Sequence, residues 1–200
     1  MLTRALTILA LVLAACSGQK PRLLHPSDPS TDFYTVSPGI YRGGRLDEGG
    51  VLRLQKLGIK TIINLENDDE QIALEAKWAK AAAITQISSP MSGYYTPDDA
   101  QVDRILKLLA DPTKRPVYIH CMKGMDRTGV VVALHRVYNE GWTRARAEEE
   151  RDAIGFNHWL GNLDRYYGWK AVRYKPAPRA MIAAAASGGA PAKVAAHAAP

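Results

Sequence analysis

The stretch that decides the fold is "PVYIHCMKGMDRTGVVVALHRVYNEG", residues 116–141. It opens on a proline and a short run of β-branched and aromatic residues, 117–119, which reads as a buried strand. It closes on an apolar run from Arg127 that stops at Gly141, the form of a helix with glycine just past its last turn. Between the two lies a tight loop. Strand, loop and helix in that order set Cys121 at the carboxyl end of a strand and just ahead of a helix N-terminus.

The same alternation extends outward on both sides. Upstream, "GIYRGGR" (39–45) reads as a strand entering a glycine turn, "EGGVLRLQKLG" (48–58) as a helix, and "IKTIINLE" (59–66) as a β-branched strand. "DDEQIALEAKWAKAAA" (68–83) is a helix opening on acids, as the helix dipole prefers, and "ITQISSP" (84–90) is a strand. "TPDDAQVDRILKLLA" (96–110) is a helix, with Thr96 expected as its cap and Pro97 as its first residue. Downstream, "TRARAEEERDAIG" (143–155) and "NHWLGNLDRYYGWKAV" (157–172) are helices, the first a solvated one with charges paired four apart. Strands alternating with helices imply an α/β domain with a mostly parallel sheet of four to five strands, flanked by helices. Such sheets bind ligands outside the carboxyl ends of their strands, where Cys121 falls.

The chain has 200 residues, a net charge of +6 and two cysteines, Cys16 and Cys121. That length suits one domain with a real core. The positive balance favours anionic partners without selecting one. Two cysteines exclude a disulfide scaffold, and the five scattered histidines give no metal-ligand spacing, so neither metal nor cofactor is expected. The first segment, "MLTRALTILALVLAAC", has one basic residue, an apolar run too short to span a bilayer, and small residues at its end. Its close, "LAAC", resembles a bacterial lipobox, which implies a signal peptide over 1–15 and acylation of Cys16. The simpler alternative is a plain signal peptide cleaved nearby. With Ser17 following, the resemblance implies export and anchoring at the outer membrane. Prolines and polar residues mark a tether over 16–35, the domain over 36–175, and an Ala/Pro-rich tail over 176–200.

The loop carries the chemistry. Amides around a helix N-terminus make an anion cradle, and Gly124 lets them approach an oxyanion with no Cβ in the way. Arg127 offers a planar fork for two phosphate oxygens. Seated in such a cradle, Cys121 is expected to act as a thiolate poised for in-line attack on phosphorus, with Thr128 donating its hydroxyl to the departing sulfur. The pattern HC-x5-R-T resembles the active-site loop of the cysteine-based protein tyrosine phosphatase superfamily. The likeness spans about Tyr34 to Tyr167, and is greatest to the small dual-specificity-like branch with bacterial periplasmic and plant and fungal atypical members. It implies Cys121 as nucleophile and Arg127 as clamp. It also implies a phosphate-binding loop of Met122, Lys123, Gly124, Met125 and Thr128, with His120 orienting it. A rhodanese-like sulfurtransferase, a non-catalytic phospho-ligand module and a merely structural cysteine are the alternatives.

The leaving group needs a proton. Asp98 and Asp99 stand where helix capping alone explains them, and Tyr94 and Tyr95 occupy the region where some relatives place an acid. Asp126, beside Arg127 in a likeness to the "DRT" loops of phosphoinositide phosphatases, is the preferred donor; the alternative is that it braces the loop by pairing with Arg or a backbone amide. Arg42 and Arg45 either line the rim or tie down a turn. The basic charge, the loop Asp and the short loops suit a polyanionic substrate such as an inositol phosphate or phosphoinositide; a phosphotyrosine or phosphoserine protein and a phosphorylated envelope component are the alternatives. No nucleic acid is expected, and the chain is read as a monomer.

Overall fold

The computed structural model describes residues 33–173. The expected signal peptide, Cys16, most of the tether and the tail lie outside the described residues. Five strands form one sheet: β1 Phe33–Ser37, β2 Ile40–Gly43, β3 Thr61–Asn64, β4 Thr85–Ser88 and β5 Val117–His120. Their order is β1-β2-β5-β3-β4, with only the β1–β2 pair antiparallel. Six α-helices cover it: α1 Glu48–Lys56, α2 Asp69–Ala81, α3 Asp99–Ala110, α4 Arg127–Tyr138, α5 Arg144–Ala153 and α6 Gly161–Val172.

Strand alternation builds two cores. Ile62 and Tyr118 face α1 and α2 with Val51, Leu54 and Ala79. Ile63, Val117, Ile119 and Cys121 face the other side, with apolar residues of α3 to α6. Helix α4 is wedged against the sheet, so residues 128–137 are all buried and its apolar run has no polar face. The carboxyl ends of the parallel strands β2, β5 and β3 lead into the loops that meet the amino end of α4.

Four expectations change. The sheet starts at Phe33, three residues inside the stretch read as tether. Phe33 stacks on Tyr41 and Tyr118 at 5.2 and 5.6 Å between ring centroids, so aromatic packing recruits residues that the preceding prolines had marked as linker. Helix α3 is capped not by Thr96 but by Asp98, whose carboxylate accepts from the Gln101 amide at 2.6 Å. The last helix begins at Gly161; residues 157–160 form the turn before it. The helix over 144–153 is also less solvated than its charges suggest. Arg151 is buried, with its guanidinium 3.9 Å from the Phe156 ring centre and 2.9 Å from Asp164.

Candidate active site

Cys121 directly follows the central strand and lies 2 % exposed on the floor of a cavity of about 330 Å³. Asp126, Arg127, Lys123, Tyr94 and Asn157 line its walls. The loop from Cys121 to Asp126 folds as it does because Gly124 has φ +72°. A Cβ there would lie 2.2 Å from the Gly43 carbonyl oxygen, an overlap with main chain that no side chain can relieve. The loop is thus pressed against the β2–α1 turn. The Arg45 amide donates to the Met122 carbonyl at 3.1 Å. From inside the core, Arg42 Nη2 donates to the Gly124 carbonyl at 2.6 Å and to that of Met125 at 3.4 Å. Burial lowers the Arg42 pKa to about 10, which leaves it a cation at neutral pH. The two "YRGGR" arginines are therefore not rim groups. Arg42 is a buried brace, and Arg45 is spent on the Glu66 carboxylate, bonded by Nε at 2.9 and 3.0 Å and by Nη2.

His120 backs the loop on the opposite face of the strand. Its Nε2 lies 2.8 Å from Glu75 of α2 and its Nδ1 is 3.4 Å from the Cys121 carbonyl. Burial pushes the Glu75 carboxyl up, but His120, Gln86 and Asn64 together hold it below the usual range. These contacts tie the end of β5 to α2. Glu75 had no signal of its own, since an acid in a helix of acids reads as surface.

Helix α4 starts without a side-chain cap. By contrast α1, α2, α3 and α5 each fold an Asp or Thr onto their first-turn amides. Asp126 occupies the capping position but turns its carboxylate to the Asn157 amide at 2.8 Å. The first-turn amides of α4 are thereby left for an anion. Arg127 uses Nη1 to grip the Leu65 and Met91 carbonyls and Asn67 Oδ1, at 3.2, 3.1 and 2.9 Å. These bonds fix the guanidinium above the cavity. Thr128 Oγ1 is buried and has no hydrogen-bond partner, so the expected bond to the sulfur is not made in this structure. Met122 is half exposed at the mouth and Met125 packs toward Gly155.

The other two acid candidates are used elsewhere. Asp98 is the cap of α3. Asp99 is held down by the Lys170 ammonium and by Tyr166, whose hydroxyl donates to it at 2.9 Å, and it lines a neighbouring cavity rather than this one. Asn67 and Asn157 also bear on the site but carried no spacing signal, since both act from loops distant in sequence. Among the described residues no group of three His, Cys, Asp or Glu side chains is placed to hold a metal ion.

A family profile described as "DSP-PTPase phosphatase fused to NAD+ Kinase" matches residues 30–160. The chain belongs to this family. Among relatives of this dual-specificity phosphatase type, the dual specificity protein phosphatase TpbA of Pseudomonas aeruginosa is 32 % identical over 139 residues, 69 % of this chain and 61 % of TpbA. The chain thus spans less than two thirds of that relative's length. A crystal structure of TpbA superimposes with a TM-score of 0.60 at 31 % identity, covering 70 % of this chain and 85 % of that one. An inositol diphosphatase of Arabidopsis thaliana, DSP3, is 31 % identical over 131 residues, 61 % of each chain. The catalytic domain of the PP-IP phosphatase SIW14 from S. cerevisiae shares the fold, with a TM-score of 0.57 at 20 % identity over 67 % of this chain and 84 % of that one. The sulfurtransferase alternative falls with the family match.

Proposed function

We propose that the protein hydrolyses phosphate monoesters through a cysteinyl-phosphate intermediate. One observation carries this reading: a buried cysteine forms the floor of a cavity between an uncapped helix N-terminus and a braced arginine. The Cys121 thiolate attacks phosphorus, the S–P bond forms and the ester O–P bond breaks. Loop amides, the α4 N-terminus and the free edge of Arg127 take up the charge on the equatorial oxygens. Asp126 gives its proton to the leaving oxygen. It then accepts one from the water that breaks the S–P bond and frees phosphate.

The rim favours an aryl phosphate. Tyr94 and Met122 line the cavity and are 77 and 50 % exposed; Tyr95 and Trp159, 75 and 95 % exposed, are next in sequence to the lining residues Tyr94 and Leu160. Flat apolar surface of this kind stacks on an aromatic leaving group. The chain's positive charge is not gathered there: Arg42 is buried, Arg45 is paired with Glu66, and Arg136 is paired with Glu140 and Glu150. Lys123 is left as the one rim cation lining the cavity beside Arg127, which is thin cover for a polyphosphorylated ring. A TpbA structure solved in complex with pTyr is consistent with this choice.

Turnover of p-nitrophenyl phosphate tests the reaction. Cys121→Ser is expected to lower kcat by at least ~10⁴-fold, and acid quenching of native enzyme with labelled substrate should trap phosphate on protein. A protein that turns over equally well without Cys121 sinks the reading. A release panel of phosphotyrosine peptides, phosphoinositides and inositol phosphates tests the substrate; preference for the inositol compounds would reverse it.

We also propose export and acylation at Cys16, supported by the lipobox resemblance. Radiolabelled palmitate should be incorporated in a bacterial host and lost in Cys16→Ser; equal labelling of both would refute it.

A further inference from the structure

The loop that surrounds Cys121 is shaped from beneath by a residue that never reaches the cavity. We propose that Arg42 is a positioning residue of the active site, holding two loop carbonyls inward so that the amides of the same peptides face the phosphoryl group. The inference rests on the phosphatase reading for its kinetic arm, but not for its binding arm.

The geometry is direct. A trans peptide sets its C=O and N–H on opposite sides. Arg42 Nη2 holds the Gly124 and Met125 carbonyls, so the N–H groups of Met125 and Asp126 are turned the other way. The Arg45 amide does the same through the Met122 carbonyl, turning the Lys123 N–H. Residues 42–45 thereby set the direction of three loop donors. Gly43 is the surface against which Gly124 is pressed, at a separation that only glycine permits.

The choice of residue argues for the role. Arg42 is 1 % exposed, and its hydrogen bonds go to main-chain carbonyls rather than to a carboxylate. Its Nε has no partner. Burying a cation with incomplete partners is costly, and a core built for stability alone would use an apolar side chain. Arg151 supplies an internal contrast. It is equally buried and meets the same helix position, since a Cβ on Gly129 would lie 3.2 Å from Arg151 Cγ and 3.6 Å from Arg42 Nη2. Yet Arg151, whose Nη1 and Nη2 like Arg42 Nε make no hydrogen bond, has carboxylates within ion-pair distance in Asp164 and Asp152 and stacks on Phe156. It braces α5 against α6, and its ion pairs and ring contacts lie outside the loop.

The experiment compares Arg42→Lys, Arg42→Met and Arg151→Met. Each is measured for thermal stability, for kcat and KM per folded molecule on p-nitrophenyl phosphate, and for tungstate affinity by calorimetry. Losing loop donors of this kind costs ~10²–10³-fold in kcat when they are removed outright. Misdirecting them is expected to lower kcat about tenfold in Arg42→Lys and about a hundredfold in Arg42→Met, with tungstate affinity falling in the same order. Arg151→Met should lose stability while its folded fraction keeps kcat and tungstate affinity within about twofold. Arg42 variants that fold and match native kcat and tungstate affinity within about twofold overturn the proposal. So does a loss fully accounted for by the unfolded fraction. If Arg42→Met does not fold, Arg42→Lys decides by the same criteria. If native protein fails to turn over the ester, the phosphatase reading falls, and tungstate binding alone still judges Arg42.

Discussion

The loop over 120–128 and the β4–α3 connection over 89–98 face the same cavity and are built in opposite ways. The first is clasped from below by Arg42, from the side by the Arg45 amide and from behind by His120, and its glycine has no room for a methyl group. The second makes its turn on one serine, whose Oγ accepts from the Tyr94 and Tyr95 amides at 3.0 and 3.2 Å. It is pinned at Tyr94 by Asn162, and a Cβ on its Gly93 would meet nothing within 4 Å. The contrast separates chemistry from selection. Groups that must meet phosphorus are fixed by the core, whereas those that meet the rest of the substrate project from the exposed turn at 92–95, just past the buried Met91 whose carbonyl accepts from Arg127.

The two glycines are the strongest way to break this division. Gly124→Ala is expected to destabilise the fold by more than ~3 kcal/mol and to abolish tungstate binding. Gly93→Ala should shift stability by less than ~0.5 kcal/mol. Urea unfolding of the pair checks both, and equal behaviour would dissolve the distinction. Next in size is the proton donor. Asp126→Asn should lower kcat on an alkyl phosphate by ~10²-fold. Asp98→Ala should keep kcat within about twofold and cost ~1 kcal/mol of helix capping. If the alkyl-phosphate loss follows Asp98 instead, the acid belongs to the β4–α3 side of the comparison. The smallest effect lies at the aromatic rim. Replacing Tyr94 and Tyr95 together by Ala should raise KM for a phosphotyrosine peptide by up to ~10-fold with kcat within about twofold, since each aromatic contact is worth ~0.5–1.5 kcal/mol.

What could be read from the sequence follows the same division. Cys121, Gly124 and Arg127 were legible because their constraints are local: a strand end, a left-handed glycine and a helix start within ten residues. The parallel sheet was legible from its alternation. Arg42 and Arg45 stood out as a motif, but whether they faced solvent or core depends on contacts eighty and twenty residues away. Asp126 could be placed in the loop. That Asn157 would draw its carboxylate off the helix cap could not be seen, because the partner sits in a turn with no periodic pattern. Thr96 reads as a cap because Thr-Pro mimics the signal that Asp98 provides two residues later. Arg151 looked solvated because a charge-rich helix hides which side chain lies on its inner face.

One further consequence concerns orientation. Because β1 runs against its neighbour, Phe33 lies level with Gly43, and Gly43 lies level with His120. The chain therefore joins the sheet on the side that opens to substrate, not at the far pole. If Cys16 is acylated as proposed, the residues 17–32, which span ~55 Å at most when fully extended, would attach the anchor on that side.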